Sequence, residues 1–280
     1  MAFGLSLVAA LWLPEPARAD LSQRYFVGNF LGYTAEPYDY ISLSGSTSRG
    51  ADSGLLYLEK MVSPVSSFSL SASIQHYGGN EHATGWDNLD FSYKWAILKF
   101  DSADFLLSLG PNLEVPSGDE SIGASPYTKV GADLLFEKGL VEVPDGLAAL
   151  RAFQFEGDYF WDASVRGPSE NLLFTSTEIE YSIGYLDQYV TGYQVNQFLS
   201  HLTPHLDFQY SQYLSTRDNS AAPDFELTPA VAWINRIFEI NLGVQIGLNH
   251  SSTATGNVGF VWLFGVSFDE VWPALGWTPF

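Results

Sequence analysis

Between Ser63 and Phe268 the chain repeats one pattern: segments of about 10 to 14 residues in which apolar side chains alternate with small or polar ones, separated by turn residues. In Phe68-Ser69-Leu70-Ser71-Ala72-Ser73-Ile74-Gln75 every second side chain is apolar. A second segment sets Leu89, Phe91, Tyr93, Trp95 and Ile97 on one face and Asn88, Asp90, Ser92, Lys94 and Ala96 on the other. Successive side chains of a strand point to opposite faces, so each segment is greasy on one side and polar on the other. A soluble sandwich strand needs only about five or six residues, whereas these are long enough to cross a bilayer when tilted. The pattern predicts an all-β fold, a membrane-spanning antiparallel up-and-down β-barrel.

The expected strands are 53–62, 66–77, 87–98, 104–115, 127–138, 150–163, 171–184, 204–213, 225–235, 236–249 and 256–268. One more from the N-terminal region, starting near Tyr38, brings the count to about twelve, within a range of ten to fourteen. Even numbers are the rule for bacterial single-chain barrels. Connectors sort into two kinds, tight (Ser63-Pro64-Val65, Lys99 to Ala103) and long (Gly78 to Trp86, Pro116 to Pro126, Arg166 to Glu170, Ser215 to Pro223), and the long ones are expected outside. Tyr185 to Thr203 breaks the rhythm and hints at a short helix ended by Pro204. Tyr57, Tyr77, Trp86, Trp161, Tyr181, Tyr210, Tyr213, Trp233 and Trp262 sit near strand ends, as aromatic girdles at the headgroup level do.

The chain is divided into a signal peptide over 1–19, an N-terminal segment over 20–52 and a barrel with a short tail over 53–280. The apolar run Phe3 to Leu13 is too short for a membrane helix, and Ala17-Arg18-Ala19 before Asp20 has the small-x-small form of a cleavage site. Export to the bacterial outer membrane is therefore expected, with outer-membrane lipids and the barrel assembly machinery as partners. Cysteine is absent, which argues against a disulfide-stapled scaffold and against thiolate metal sites. The formal net charge of −20 argues against nucleic acid, whose phosphates require Lys and Arg.

With the apolar faces toward lipid, the opposite faces line a lumen. Its expected lining includes Asp90, Lys94, Glu114, Lys129, Asp133, Glu156 and Asp158, followed by Glu178, Glu180, Asp207, Glu239, Asn241 and Gln245. Acidic residues predominate, and carboxylates in an aqueous pore favour cations. The expected function is a passive, cation-preferring outer-membrane channel or uptake pore for a small solute. The alternative is a closed structural or interaction barrel whose carboxylates pair with Lys94, Lys129, Arg151 and Arg236.

Enzymatic activity is not expected. The Ser200-His201 and Asn249-His250-Ser251-Ser252 sets lack a nucleophile elbow, and neighbours on a strand face opposite ways, which leaves a lipid hydrolase as the weakest alternative. His201 and His205, four apart with Asp207 beyond, resemble a metal spacing, but Pro204 disrupts the helix this needs and a solvated turn is the plainer reading. The loop Ser117-Gly118-Asp119-Glu120-Ser121 lacks a full calcium-loop pattern. No metal and no cofactor is predicted.

Several stretches resemble the outer-membrane β-barrel transporters grouped with the meta-pathway of phenol degradation. They are Arg49-Gly50-Ala51-Asp52-Ser53 leading into Leu56-Tyr57-Leu58-Glu59-Lys60, then Trp86-Asp87-Asn88-Leu89-Asp90, Pro229-Ala230-Val231-Ala232-Trp233, and the ending from Phe268 to Phe280. The resemblance implies an outer-membrane barrel passing small organic compounds. Phe280 follows a Pro-containing tail, a departure from barrels that end directly in a strand with a terminal aromatic.

Overall fold

The computed structural model describes residues 32–48, 50–78, 82–167, 171–187, 196–215, 223–235, 238–249 and 258–267. Among them are thirteen strands in one antiparallel sheet. They are β1 (Tyr40–Ser48), β2 (Ala51–Ser63), β3 (Ser66–Tyr77), β4 (Ala83–Trp86), β5 (Leu89–Phe100), β6 (Phe105–Val115) and β7 (Lys129–Gly139). The chain continues with β8 (Phe153–Ser164), β9 (Asn171–Tyr181), β10 (Leu202–Ser215), β11 (Asp224–Ile234), β12 (Phe238–Gly247) and β13 (Val258–Ser267). Apart from β4, each strand pairs with its neighbours in chain order: β3 pairs with both β2 and β5, and β1 pairs with β13. The short β4 only extends the far end of β3, from Ile74↔Trp86 to Tyr77↔Ala83. The remaining twelve strands close into an up-and-down barrel. Closure leaves no edge, so every strand finds hydrogen-bond partners on both sides without help from water.

The alternation in the sequence becomes the inside–outside alternation of the wall. On β12, Ile240, Leu242 and Val244 are exposed outward while Glu239 and Asn241 are buried inward. On β8, Tyr159 and Trp161 face out and Gln154, Glu156 and Asp158 face in. One irregularity re-aims a face: the register shift between Ala96 and Leu98 on β5 turns Leu98 and Phe100 outward, where simple alternation had placed Ile97.

Strand direction puts the tight links Pro64-Val65 and Asp101–Asp104 at the end of the barrel where β1 begins. The connections marked as long leave from the opposite end. Sorting is incomplete, because 140–152 and the helical turns Ile183–Tyr185 and Gln197–Ser200 lie at the tight-link end. At the long-loop rim, Asn88 knits the loops together. Its Nδ2 donates to Glu114 Oε1 (2.6 Å) and to the Ser125 carbonyl (2.8 Å), and its Oδ1 accepts from the N–H groups of Ser117 (3.0 Å) and Gly118 (2.9 Å). Gly118 lies so close to Asp87 that a Cβ would sit 2.7 Å from its carbonyl carbon, so only glycine fits. Asp119 accepts from Ser121 N–H (2.9 Å), which holds its carboxyl below the usual range, as the cap of a short turn.

Leu242 lies mid-strand and Val258 at a strand end, both outward and exposed. Leu242→Arg is expected to destabilise the barrel by about 2–4 kcal/mol and Val258→Arg by about 0–1 kcal/mol. Denaturant titration in lipid vesicles measures both, and equal costs would contradict the facing.

Candidate functional site

The barrel interior is not empty. Residues 32–39, immediately before β1, lie within it, with Thr34, Ala35, Pro37 and Asp39 buried. The segment is held by inward side chains of four consecutive strands, β5 to β8. Tyr33 N–H donates to Asp158 Oδ2 (3.1 Å), while the Thr34 hydroxyl and the Glu36 N–H (2.9 Å) both donate to Glu137 Oε1. Ser108 Oγ donates to the Ala35 carbonyl (2.5 Å), and Lys94 Nζ to the Glu36 carbonyl (3.1 Å). Ala35 packs on Ala96, Leu106 and Leu135, the largest apolar cluster among the described residues and inside the lumen. Pro37 explains why this stretch crosses the interior rather than extending β1, since proline cannot donate to a ladder.

Lys94 is the cationic centre of this arrangement. Its ammonium sits 2.9 and 3.0 Å from the two oxygens of Glu59, with both side chains almost wholly buried. Glu59 also accepts from Tyr57 Oη (2.6 Å) and Ser67 Oγ (2.5 Å). Lys94 Nζ lies 5.4 Å from the Tyr38 ring centroid, a cation–π distance. Tyr33, Tyr38, Tyr40 and Tyr57 form a contiguous aromatic group, with ring centroids 5.2 Å (Tyr33–Tyr57), 5.0 Å (Tyr38–Tyr40) and 6.5 Å (Tyr40–Tyr57) apart.

Toward the long-loop end these tyrosines and the N-terminal segment form the floor of a cup of about 490 Å³. Asp90, Glu114, Lys129, Asp158 and Gln245 of the expected lumen residues line it. Lys94, Asp133, Glu156, Glu178, Glu180, Asp207, Glu239 and Asn241 are buried elsewhere in the interior. Adjacent strands bring four of the carboxylates directly opposite one another, in the series Glu137↔Glu156, Glu156↔Glu178 and Glu178↔Asp207. Nearby donors include Gln154 Nε2 to Glu156 (2.5 Å) and Ser176 Oγ to Asp207 (2.8 Å), while His205 Nδ1 lies 3.5 Å from Glu178. Few cations answer these acids. Lys129 pairs with Glu114 at 2.9 Å, Arg151 pairs with exposed Asp145 in a connection, and Arg236 lies outside the described residues.

Three expectations need correction. Tyr57 is buried inside the barrel beside Glu59 rather than in a girdle, because β2 presents Tyr57 and Glu59 on its inner face. His205 and Asp207 are not in a solvated turn: β10 starts at Leu202 and carries both into the buried interior, leaving His201 against Trp233 (5.2 Å) outside the strand. Among the described residues no group of three or more His, Cys, Asp or Glu is placed to hold a metal ion. The stretch 78–86 is not all loop, since it contains β4. The expected signal peptide, the His250-Ser251-Ser252 set and Phe280 lie outside the described residues. Sequence reasoning missed Glu59, Asp162, Tyr33 and the inner aromatic group. Asp162 shares the alternation of Glu156 and Asp158, so its inward direction was legible.

No family model matches the chain, and no curated protein is similar to it in sequence. Solved structures are similar in fold. An outer membrane channel from Pseudomonas putida F1 superposes with a TM-score of 0.54 at 11% identity, over 86% of this chain and 98% of that one. The NanC porin superposes with a TM-score of 0.50 at 10% identity, over 81% and 98%. At these identities the likeness shows the closed antiparallel β-barrel fold alone. The resemblance to the phenol meta-pathway barrels rests on the sequence segments alone.

Removing one partner of a buried ion pair leaves the other charge stranded. Lys94→Met is therefore expected to destabilise the barrel by about 3–5 kcal/mol. Lys129→Met, at a more open pair, should cost clearly less. Urea titration of the refolded protein, followed by heat-modifiable gel mobility, compares the two, and equal costs would contradict the assigned role of Lys94.

Proposed function

We propose that this protein is an outer-membrane channel for a small solute, cation-preferring and passive, with residues 32–39 forming its constriction. The observation that carries this reading is the charge of the barrel interior. Among the described residues Asp90, Glu114, Asp158 and Asp162 line the cup against one cation, Lys129, and Glu156, Glu178, Glu180 and Asp207 are buried beyond it. A field of fixed carboxylates behind low-dielectric walls concentrates cations and excludes anions. The barrel fold and its outward apolar band support a location in the outer membrane, with the long connections facing outside. In this reading the lumen residues of the sequence analysis divide into those that meet the solute in the cup and those that set the potential around it.

The second reading, a closed structural barrel, is favoured by one observation: the N-terminal segment is built into the interior by buried hydrogen bonds and by contact with Leu106 and Leu135. Conductance of the refolded protein in planar bilayers separates the two. A salt-gradient reversal potential of cation sign is expected, strongest at low salt, where the Debye length reaches about 30 Å at 0.01 M. Asp90→Asn with Asp162→Asn should reduce that selectivity. Anion preference, or unchanged selectivity, defeats the charge argument, and absence of conductance selects the closed barrel.

The constriction has its own test. A chain beginning at Pro37, refolded into the same bilayers, should conduct several-fold more than the chain carrying residues 32–36. Equal conductance would show that the segment does not limit the path.

A further inference from the structure

The inward faces of a water-filled barrel are polar, yet around the cup the alternation fails at Leu55 and in three further segments. Tyr159-Phe160-Trp161, Leu172-Leu173-Phe174 and Val261-Trp262-Leu263 each put an apolar side chain on the inner face where a polar one would keep the rhythm. All these inner residues, Phe160, Leu172, Phe174, Val261 and Leu263, line the same cup. Phe160 and Phe174 are directly opposed across β8 and β9, forming one apolar wall, and Leu172 lies opposite Asp162 in the same pair. Leu55 of β2 also lines the cup, whereas the inward Leu106 and Leu135 pack on Ala35 of the N-terminal segment.

This wall stands above a floor of tyrosine rings and beside carboxylates. Asp158 joins the two, as one of its oxygens accepts from Tyr33 N–H at 3.1 Å. The other, Oδ1, is buried on a side chain only 1% exposed and has no hydrogen-bond partner among the described residues. A buried carboxylate oxygen without a donor is costly, and a cationic N–H donor in the cup would satisfy it. The tyrosine floor already accepts one ammonium ion, that of Lys94 beside Tyr38, so its rings are compatible with a second cation. A cavity of about 490 Å³ falls within the range of small-molecule sites.

We propose that the cup is a binding site for a small organic ammonium ion with a compact apolar body, the ammonium group directed to Asp158 and the body against Phe160 and Phe174. This deepens the channel reading by naming a solute class. It differs from bare cation preference, because carboxylates alone would not select an apolar body, and the apolar wall alone would accept a neutral or anionic aromatic.

The test is equilibrium binding to the full refolded chain in detergent, by calorimetry, with three probes: phenethylammonium, phenylacetate and methylammonium. Phenethylammonium should bind, and the other two should be weaker by at least about tenfold, the worth of one charge-assisted contact or of a buried ring. Asp158→Asn should weaken phenethylammonium by about tenfold while keeping an acceptor for Tyr33 N–H. Phe174→Leu should weaken phenethylammonium and leave methylammonium unchanged. Heat-modifiable mobility verifies that each variant is folded, and Asp162→Asn provides a second carboxylate variant at the cup should Asp158→Asn not fold. Equal binding of phenylacetate, no binding of phenethylammonium, or affinity unchanged in the folded carboxylate variant overturns the proposal. Binding is read without conduction, so the two readings fail separately. A barrel that conducts cations and ignores phenethylammonium loses the site and keeps the channel, whereas one that binds it without conducting keeps the site and loses the channel.

Discussion

Everything in this molecule follows from where its backbone hydrogen bonds can go. A strand exposed to hydrocarbon cannot hand its N–H and C=O groups to water, so each must pair with a neighbour, and only a closed ring of strands leaves none over. The β1–β13 pairing supplies that closure, running from Tyr40↔Ser267 to Thr47↔Phe260. Once the ring is closed, alternation assigns every side chain either to lipid or to a confined interior. The apolar residues, which would form the core of a soluble protein, are placed on the outer surface: Leu242, Phe260 and Phe264 are all exposed. Cohesion of the wall therefore rests on its ladders, and the interior is left to polar chemistry.

That interior carries an electrostatic burden. Like charges directly opposite on neighbouring strands repel, and here Glu137, Glu156, Glu178 and Asp207 occupy four consecutive strands in register. The compensation is local rather than a matching set of cations. Glu59 takes Lys94, Tyr57 and Ser67 together, and Glu137 and Asp158 take backbone N–H groups of the N-terminal segment. A short irregular stretch is well suited to this role, because its amides are not committed to a ladder and can be aimed at carboxylates. Segment and acidic interior thus stabilise each other, and the narrowing of the lumen is a consequence of the charge that lines it.

The wall was legible in the sequence and the filling was not, for physical reasons. A strand of ten residues repeats its rule five times, so a single substitution hardly obscures it, and the expected boundaries of β3, β6 and β11 lie within a residue of those observed. The interior obeys no such period. Tyr57 reads as a girdle residue until its phase is counted against Leu56 and Leu58, both outward and exposed. The segment from Gly32 to Asp39 has no rhythm, and its partners, Lys94, Ser108, Glu137 and Asp158, are 58 to 125 residues away in the chain. His205 was obscured by Pro204, which breaks a helix but is tolerated near the start of β10, where the ladder to β9 begins only at His205. The inner faces of β8, β9 and β13 break the alternation, and only the barrel brings those breaks together around one cup.

Asp158 connects the two halves of this interior. One oxygen anchors Tyr33 and with it the floor, and the same side chain lines the cup. A carboxylate shared between two donors couples them. A cation drawing on one oxygen lowers the charge available to the other, so filling the cup and docking the segment affect each other's free energy by the same amount in both directions. The sign depends on geometry. A ligand that only neutralises Asp158 loosens Tyr33, whereas one that also packs on the Tyr33 and Tyr57 rings returns contact area to the floor. Whether a cation bound in the cup loosens or holds residues 32–39 is thus decided by how its apolar body meets the tyrosines, and the charge that attracts it cannot decide that by itself.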